Sequence, residues 1–192
     1  MYLVIRKSII VICILLYCNS VFSQNKRINN NSVEAGLVVA GDEAIYYGAY
    51  GKYSMPLSQN KHHFTLGFSF VAYFDFKGES EPVAYLKNDV DMRLLPSIGL
   101  GYSLNFNRFQ FNFEIPVGAS IAITKGILVN ERAGFEREYS NQEVFLNYGV
   151  LFAPKYKINN TNSIGVYGFL PLLDDKAQSG YQFGIGWTKN FY

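Results

Sequence analysis

Hydrophobic and polar residues alternate along this chain with a period of two, the spacing of β-strands, in which successive side chains point to opposite faces. In the clearest run, 63–76, Phe64, Leu66, Phe68, Phe70, Ala72, Phe74 and Phe76 alternate with Thr65, Gly67, Ser69, Val71, Tyr73 and Asp75. In a second, 109–123, Phe109, Phe111, Phe113, Ile115, Val117, Ala119, Ile121 and Ile123 share one face, and Gln110, Asn112, Glu114, Gly118 and Ser120 the other. Both runs are long for a globular sheet. Weaker alternation marks 33–39, 45–53, 92–104 and 144–156, and shorter strands fit 164–170 and 181–191. The pattern predicts an all-β chain of about eight strands, an even number, as an up-and-down antiparallel barrel requires. After a short first connection at Asp42 and Glu43, the connections alternate in length: 56–62, 105–107 and 159–162 are turns of one rim, and 77–90, 124–141 and 171–178 are loops of the other. Pro96, Pro116 and Pro154 fall inside three strands, where each removes a ladder donor, so bulges or early strand ends are expected near them.

The face opposite the aromatics decides what surrounds such a barrel. A soluble lipocalin-like barrel keeps its apolar side chains inside and a charged face in water. Here the second face is made of small residues: Gly99, Gly101 and Ser103, then Asn147 and Gly149, then Gly184, Gly186 and Thr188. Small side chains suit the interior of a narrow barrel. The apolar face carries Phe, Leu and Ile at strand centres and rings near the ends, including Tyr53, Tyr102, Phe109, Tyr156, Tyr181, Trp187 and Phe191, as membrane interfaces favour. A transmembrane β-barrel is the expectation, and a soluble exported barrel binding a small apolar ligand is the alternative.

The amino terminus supports export. Arg6 and Lys7 precede an apolar run at 9–17, the order of a secretory signal, and the run is too short to span a bilayer as a helix. Cleavage after Ser23 fits, with Val21 and Ser23 before the cut, and 24–31 is then a flexible tether before a barrel domain at 32–192. Cys18 suggests lipidation, but Tyr17 is bulky where a lipoprotein signal has a small residue. Cys13 and Cys18 both lie in the removed segment, so no disulfide or thiol chemistry is expected of the mature chain. Of the 17 basic residues two go with the signal, leaving 15 against 15 acidic ones. A chain of zero net charge has no footprint for nucleic acid.

With Val21, Phe22 and Ser23 before Gln24, strands of alternating aromatics, and a last strand closing on Asn190, Phe191 and Tyr192, the sequence resembles the outer-membrane β-barrel family of OmpA and OmpX type, in the form common among Bacteroidota. The resemblance implies a place in a Gram-negative-type outer membrane, both termini in the periplasm, and contact with membrane lipid. It also implies that the barrel-assembly machinery reads the aromatic end of the last strand, Trp187, Phe191 and Tyr192, and it implies no enzymatic activity. Parity makes Phe191 the outward ring, whereas the family places its last residue outward.

Parity turns Glu34, Lys52, Asp75, Arg93 and Glu114 inward, where charges persist only in pairs. Glu34 with Lys52 near the periplasmic rim and Asp75 with Arg93 near the outer rim are the expected pairs, with Glu114 sharing Arg93. Inward Tyr50, Tyr73 and Tyr167 are filler or the lining of a small pocket, and an interior this narrow leaves no diffusion pore. A lipid-modifying enzyme would need a nucleophile beside a base, and a narrow ion channel a polar path. His62 and His63 are the only histidines and sit in a turn, pointing to opposite sides of an extended chain, which also makes them poor metal ligands. No cofactor motif occurs. The remaining candidates for recognition of a protein, a glycan or lipopolysaccharide head groups are Glu131, Arg132, Phe135 and Arg137 in the long loop at 124–141, unless that segment is a hairpin that merely extends its strands.

Overall fold

In the computed structural model, the described residues are 31–41, 45–75, 85–130, 133–172 and 180–191. The expected signal at 1–23, and all of the tether but Asn31, lie outside them. Eight strands follow in order: β1 (Ser32–Gly41), β2 (Ile45–Pro56), β3 (His63–Asp75), β4 (Tyr85–Phe106), β5 (Phe109–Asn130), β6 (Phe135–Lys157), β7 (Asn162–Pro171) and β8 (Tyr181–Asn190). Each pairs antiparallel with the next and β8 pairs back to β1, closing the barrel. Closure leaves no sheet edge to face lipid, the condition for crossing a membrane with strands.

The turn-bearing rim is tightly made. Asn107 takes a positive φ of 38° between β4 and β5, a conformation asparagine tolerates better than most side chains. Between β6 and β7, Asn159 Oδ1 accepts from the backbone N–H groups of Thr161 and Asn162 at 2.9 and 2.8 Å, an Asx turn. Both barrel ends join this rim, the Phe191 amide donating to Asn31 O at 2.8 Å and the Asn190 amide to Thr161 O at 2.7 Å.

Within the barrel side chains sort by parity. In β8, Gln182, Gly184, Gly186 and Thr188 are buried, while Tyr181, Phe183, Ile185 and Trp187 are exposed. The same outward belt includes Leu37, Leu100 and Phe183, 62–70% exposed. So much apolar surface on all sides of a barrel whose interior holds the charges is the reverse of a soluble fold. The chain is a transmembrane barrel, and the soluble-barrel alternative falls with that inversion.

The prolines do not end strands or bulge them. β4, β5 and β6 run through Pro96, Pro116 and Pro154 with their register unchanged. Each proline pairs normally with the strand before its own, opposite Phe70, Gly99 and Phe111 respectively. Toward the following strand the ladder lapses for two residue pairs at each one. One missing N–H thus interrupts one side of a strand, and the ladders on either side hold the register. The register shift that does occur lies between Lys87 and Val90.

The second difference is in the expected loops. Residues 85–90, 124–130 and 135–141 are strand, so β4, β5 and β6 have 22, 22 and 23 residues where the other strands have 10 to 13. The β5–β6 pairing keeps one register from Phe109↔Tyr156 to Asn130↔Phe135, lapsing only beside Pro116. Its tip is turned by Gly134, at φ 67°, whose amide donates to Asn130 O at 2.9 Å. The β6 part of the segment lacks alternation because Phe135–Ser140 is exposed at every position, with polar residues on both parities, while the backbone goes on pairing.

Candidate functional site

The barrel interior near the turn rim gathers four charged side chains. Lys52 of β2 pairs with Glu114 of β5, and Lys155 of β6 with Glu34 of β1, all four 6% exposed or less. Tyr50 donates its hydroxyl to Glu34 Oε1 at 2.7 Å and stacks on Tyr167, ring centres 4.6 Å apart, and Tyr167 donates to Gln182 Oε1 at 3.0 Å. Two acids and two bases make the cluster neutral, which is what permits it to be buried. The space is cut by glycine: a Cβ on Gly99 would lie 2.5 Å from Glu114 Oε1, and one on Gly186 would lie 2.1 Å from the Tyr50 hydroxyl. Farther from the rim Val38, Val71, Tyr73, Leu95 and Leu151 close the lumen, none more than 3% exposed. Tyr50, Tyr73 and Tyr167, each 4% exposed or less, belong to this packed interior.

The pairing differs from the expected one. Glu34 and Lys52 do face each other across β1 and β2, yet each makes its ion pair with a different strand, and Glu114 takes Lys52, not Arg93. Arg93 lies over the Tyr46 ring, 4.9 Å from its centre, with Nη2 donating to Tyr46 Oη at 3.4 Å. Asp75 stands opposite Asp91 in the β3–β4 ladder, and its side chain lies outside the described residues. Lys155 is the member that sequence reading missed. It shares the parity of Asn147 and Gly149, so the signal was present, but it follows Pro154, where the strand was expected to falter.

The outer candidates divide. Glu131 and Arg132 lie outside the described residues; Phe135 and Arg137 are exposed at the start of β6. With Glu136, Glu138 and Glu143, on both faces of β6, they belong to a three-stranded sheet, β4, β5 and β6, that continues beyond the barrel. Among the described residues, the β7 side reaches β6 no farther than Tyr148, whose carbonyl accepts from the Leu172 amide at 3.1 Å, so 135–146 pairs on its β5 side alone. At the opposite rim, Trp187 faces outward and donates to Asn162 Oδ1 at 3.2 Å, and Phe191 is exposed. Tyr192 lies outside the described residues.

The histidines are tied to backbone groups at the turn-bearing rim. His63 Nδ1 lies 3.1 Å from Asn60 O, and His62 Nδ1 accepts from the Asn105 amide at 3.1 Å. Burial, helped by the charge of Lys61, holds the His62 imidazole below its ordinary pKa of 6.5.

Against solved structures, the barrel aligns with Ail, the attachment invasion locus protein of Yersinia pestis, at a TM-score of 0.56 and 13% identity, covering 85% of this chain and 100% of that one. The fold is that of a small outer-membrane β-barrel. Ail in complex with the heparin analogue sucrose octasulfate aligns at TM-score 0.55 and 12% identity, with 85% and 100% covered. The Y. pestis outer membrane protein Ail in phospholipid bilayer nanodisc gives 0.48 and 15%, with 85% and 99% covered. No protein-family model matches the chain, and no curated protein matches it by sequence. On this fold the chain carries a neutral ionic cluster inside the barrel and a long three-stranded extension.

Proposed function

We propose that this chain is a non-enzymatic protein of a Gram-negative-type outer membrane, with both termini in the periplasm, and that its β4–β6 extension binds a partner protein outside the cell. The observation that carries the reading is the length of those strands. At about 3.3 Å per residue a strand of 22 or 23 residues measures about 70 Å, against a hydrocarbon core of about 30 Å. Even strongly tilted, such strands stand well clear of the bilayer, and nothing in barrel closure requires the excess. The barrel-assembly machinery would read the aromatic end of β8.

Charge favours a protein over a polyanionic glycan such as the one bound to Ail. The start of β6 carries Glu136, Glu138 and Glu143 against Arg137, which repels sulfate, while the exposed Phe135 and Tyr139 offer rings to a protein surface. Both histidines are held by backbone groups at the turn-bearing rim, which supports a structural part for them over a catalytic one.

The test replaces 125–140 by a two-residue Asn-Gly turn. The shortened barrel should still migrate differently on gels before and after heating, and cells carrying it should lose adhesion to protein-coated surfaces without any change on heparin-coated ones. Full adhesion by the shortened form refutes the role of the extension. A protease site placed at 133 should be cut on intact cells; protection there refutes the orientation.

A further inference from the structure

The rim that carries the short turns and both barrel ends is charged with one sign. Segments 57–62, 105–109, 156–162 and 189–191 contain Lys61, Arg108, Lys157 and Lys189 and none of the chain's 15 acidic residues. Glu34 and Glu114 nearby are neutralised inside the barrel by Lys155 and Lys52. Asp91, Glu136, Glu138 and Glu143 belong to the opposite half of the molecule. A chain of balanced overall charge is thus polarised end to end.

Three of the four cations stand beside aromatic rings on the barrel's circumference. Lys61 Nζ is 6.0 Å from the Phe106 ring centre, Lys189 Nζ is 6.0 Å from that of Phe191, and Arg108 Nη1 donates to Tyr156 Oη at 3.0 Å. Phe109, its ring 5.5 Å from Tyr156, and Trp187 continue the girdle. Exposed rings at a barrel end mark the depth where hydrocarbon gives way to headgroups. Cations at that depth meet lipid, whereas a soluble acidic partner would need them to project past the turns. Lys157 shows the contrast: it turns across the mouth and donates to Asn105 Oδ1 at 2.8 Å.

We propose that Lys61, Arg108 and Lys189 form a collar that binds the anionic phospholipid headgroups of the leaflet at the turn-bearing rim. The collar rests on the membrane-barrel reading, and in the orientation proposed above that leaflet is the periplasmic one. Arg108 can grip a phosphate with two N–H groups, and the lysines act as point charges. Together they fix the depth of this end in the bilayer.

To test it, the full chain is unfolded in urea and refolded into vesicles of phosphatidylcholine, with or without phosphatidylglycerol, and the folded fraction is read from gel mobility before and after heating. Phosphatidylglycerol should raise the folded-to-unfolded ratio at a given urea concentration. Each of Lys61→Gln, Arg108→Gln and Lys189→Gln should cut that gain by about fivefold. The triple variant should show no gain, high salt should erase it in the wild type, and Lys125→Gln, at the other end, should keep it. A triple variant that retains the wild-type gain overturns the collar, as does an equal loss in Lys125→Gln. If the triple variant does not fold, the three single variants decide by the same measure. A wild type that folds equally well in both vesicles also refutes the collar while leaving the barrel reading intact; a wild type that folds in neither refutes both.

Discussion

Lys155 and Glu34 illustrate how a buried charge in this barrel depends on one partner. Removing the lysine leaves a carboxylate buried with only the Tyr50 hydroxyl to satisfy it, and breaking a buried pair in this way costs about 3–5 kcal/mol. Lys155→Ala should therefore lower the urea midpoint of unfolding in vesicles far more than the double change Lys155→Met with Glu34→Gln, which removes both charges. Equal losses would show that the pair contributes through packing alone. Glycines give a second contrast. A Cβ on Gly118 would lie 2.0 Å from the Pro96 carbonyl oxygen, a backbone atom that cannot step aside, while one on Gly51 meets nothing within 4 Å. Gly118→Ala should cost about 1–3 kcal/mol and Gly51→Ala should be nearly neutral by the same assay. His62 supplies a pH dependence. Burial, helped by the charge of Lys61, holds its folded-state pKa below 6.5, and the neutral ring is the form that accepts from the Asn105 amide. The contribution is complete above that value and is lost as pH falls through the lower, folded-state pKa. An NMR titration should show the His62 ring protonating below 6.5; a value at or above it would mean the turn does not hold the neutral ring.

At the scale of elements, β5 and β6 each have two environments along one continuous strand. Near the turn rim they are paired on both sides within a closed barrel; beyond it, β6 pairs with β5 alone among the described residues. Backbone amides in 136–143 should exchange hydrogen orders of magnitude faster than those in 147–155 of the same strand, as mass spectrometry of the lipid-inserted protein would report. Uniform protection along β6 would mean that something else covers the extension. These strands also show where sequence reading stops. Alternation placed 109–123 and 63–76 because one face met lipid and the other a narrow lumen. It lost 124–141, whose β6 half is exposed at every position from Phe135 to Ser140, so that the pattern there has no reason to alternate. Prolines misled in the other direction: Pro154 looked like an interruption and drew attention from Lys155 beside it, although its register is held by β5 on one side and by the ladder beyond it on the other.

For the molecule as a whole, the closed topology and the inside-out sorting were legible because both follow from periodicity, which every strand repeats. The inward set Glu34, Lys52 and Glu114 was legible for the same reason. Who pairs with whom was not, because Lys52 and Glu114 come from strands 62 residues apart in sequence, and only strand tilt around a closed barrel decides which side chains meet across the lumen.

The plug made by Val38, Val71, Tyr73, Leu95 and Leu151 bears on how much of this protein a cell can tolerate. A membrane studded with open pores loses its value as a barrier in proportion to their number. A barrel packed shut adds exposed surface and no leak, so abundance is limited by membrane area and not by permeability. Vesicles crowded with it should retain a trapped small dye as well as empty ones do.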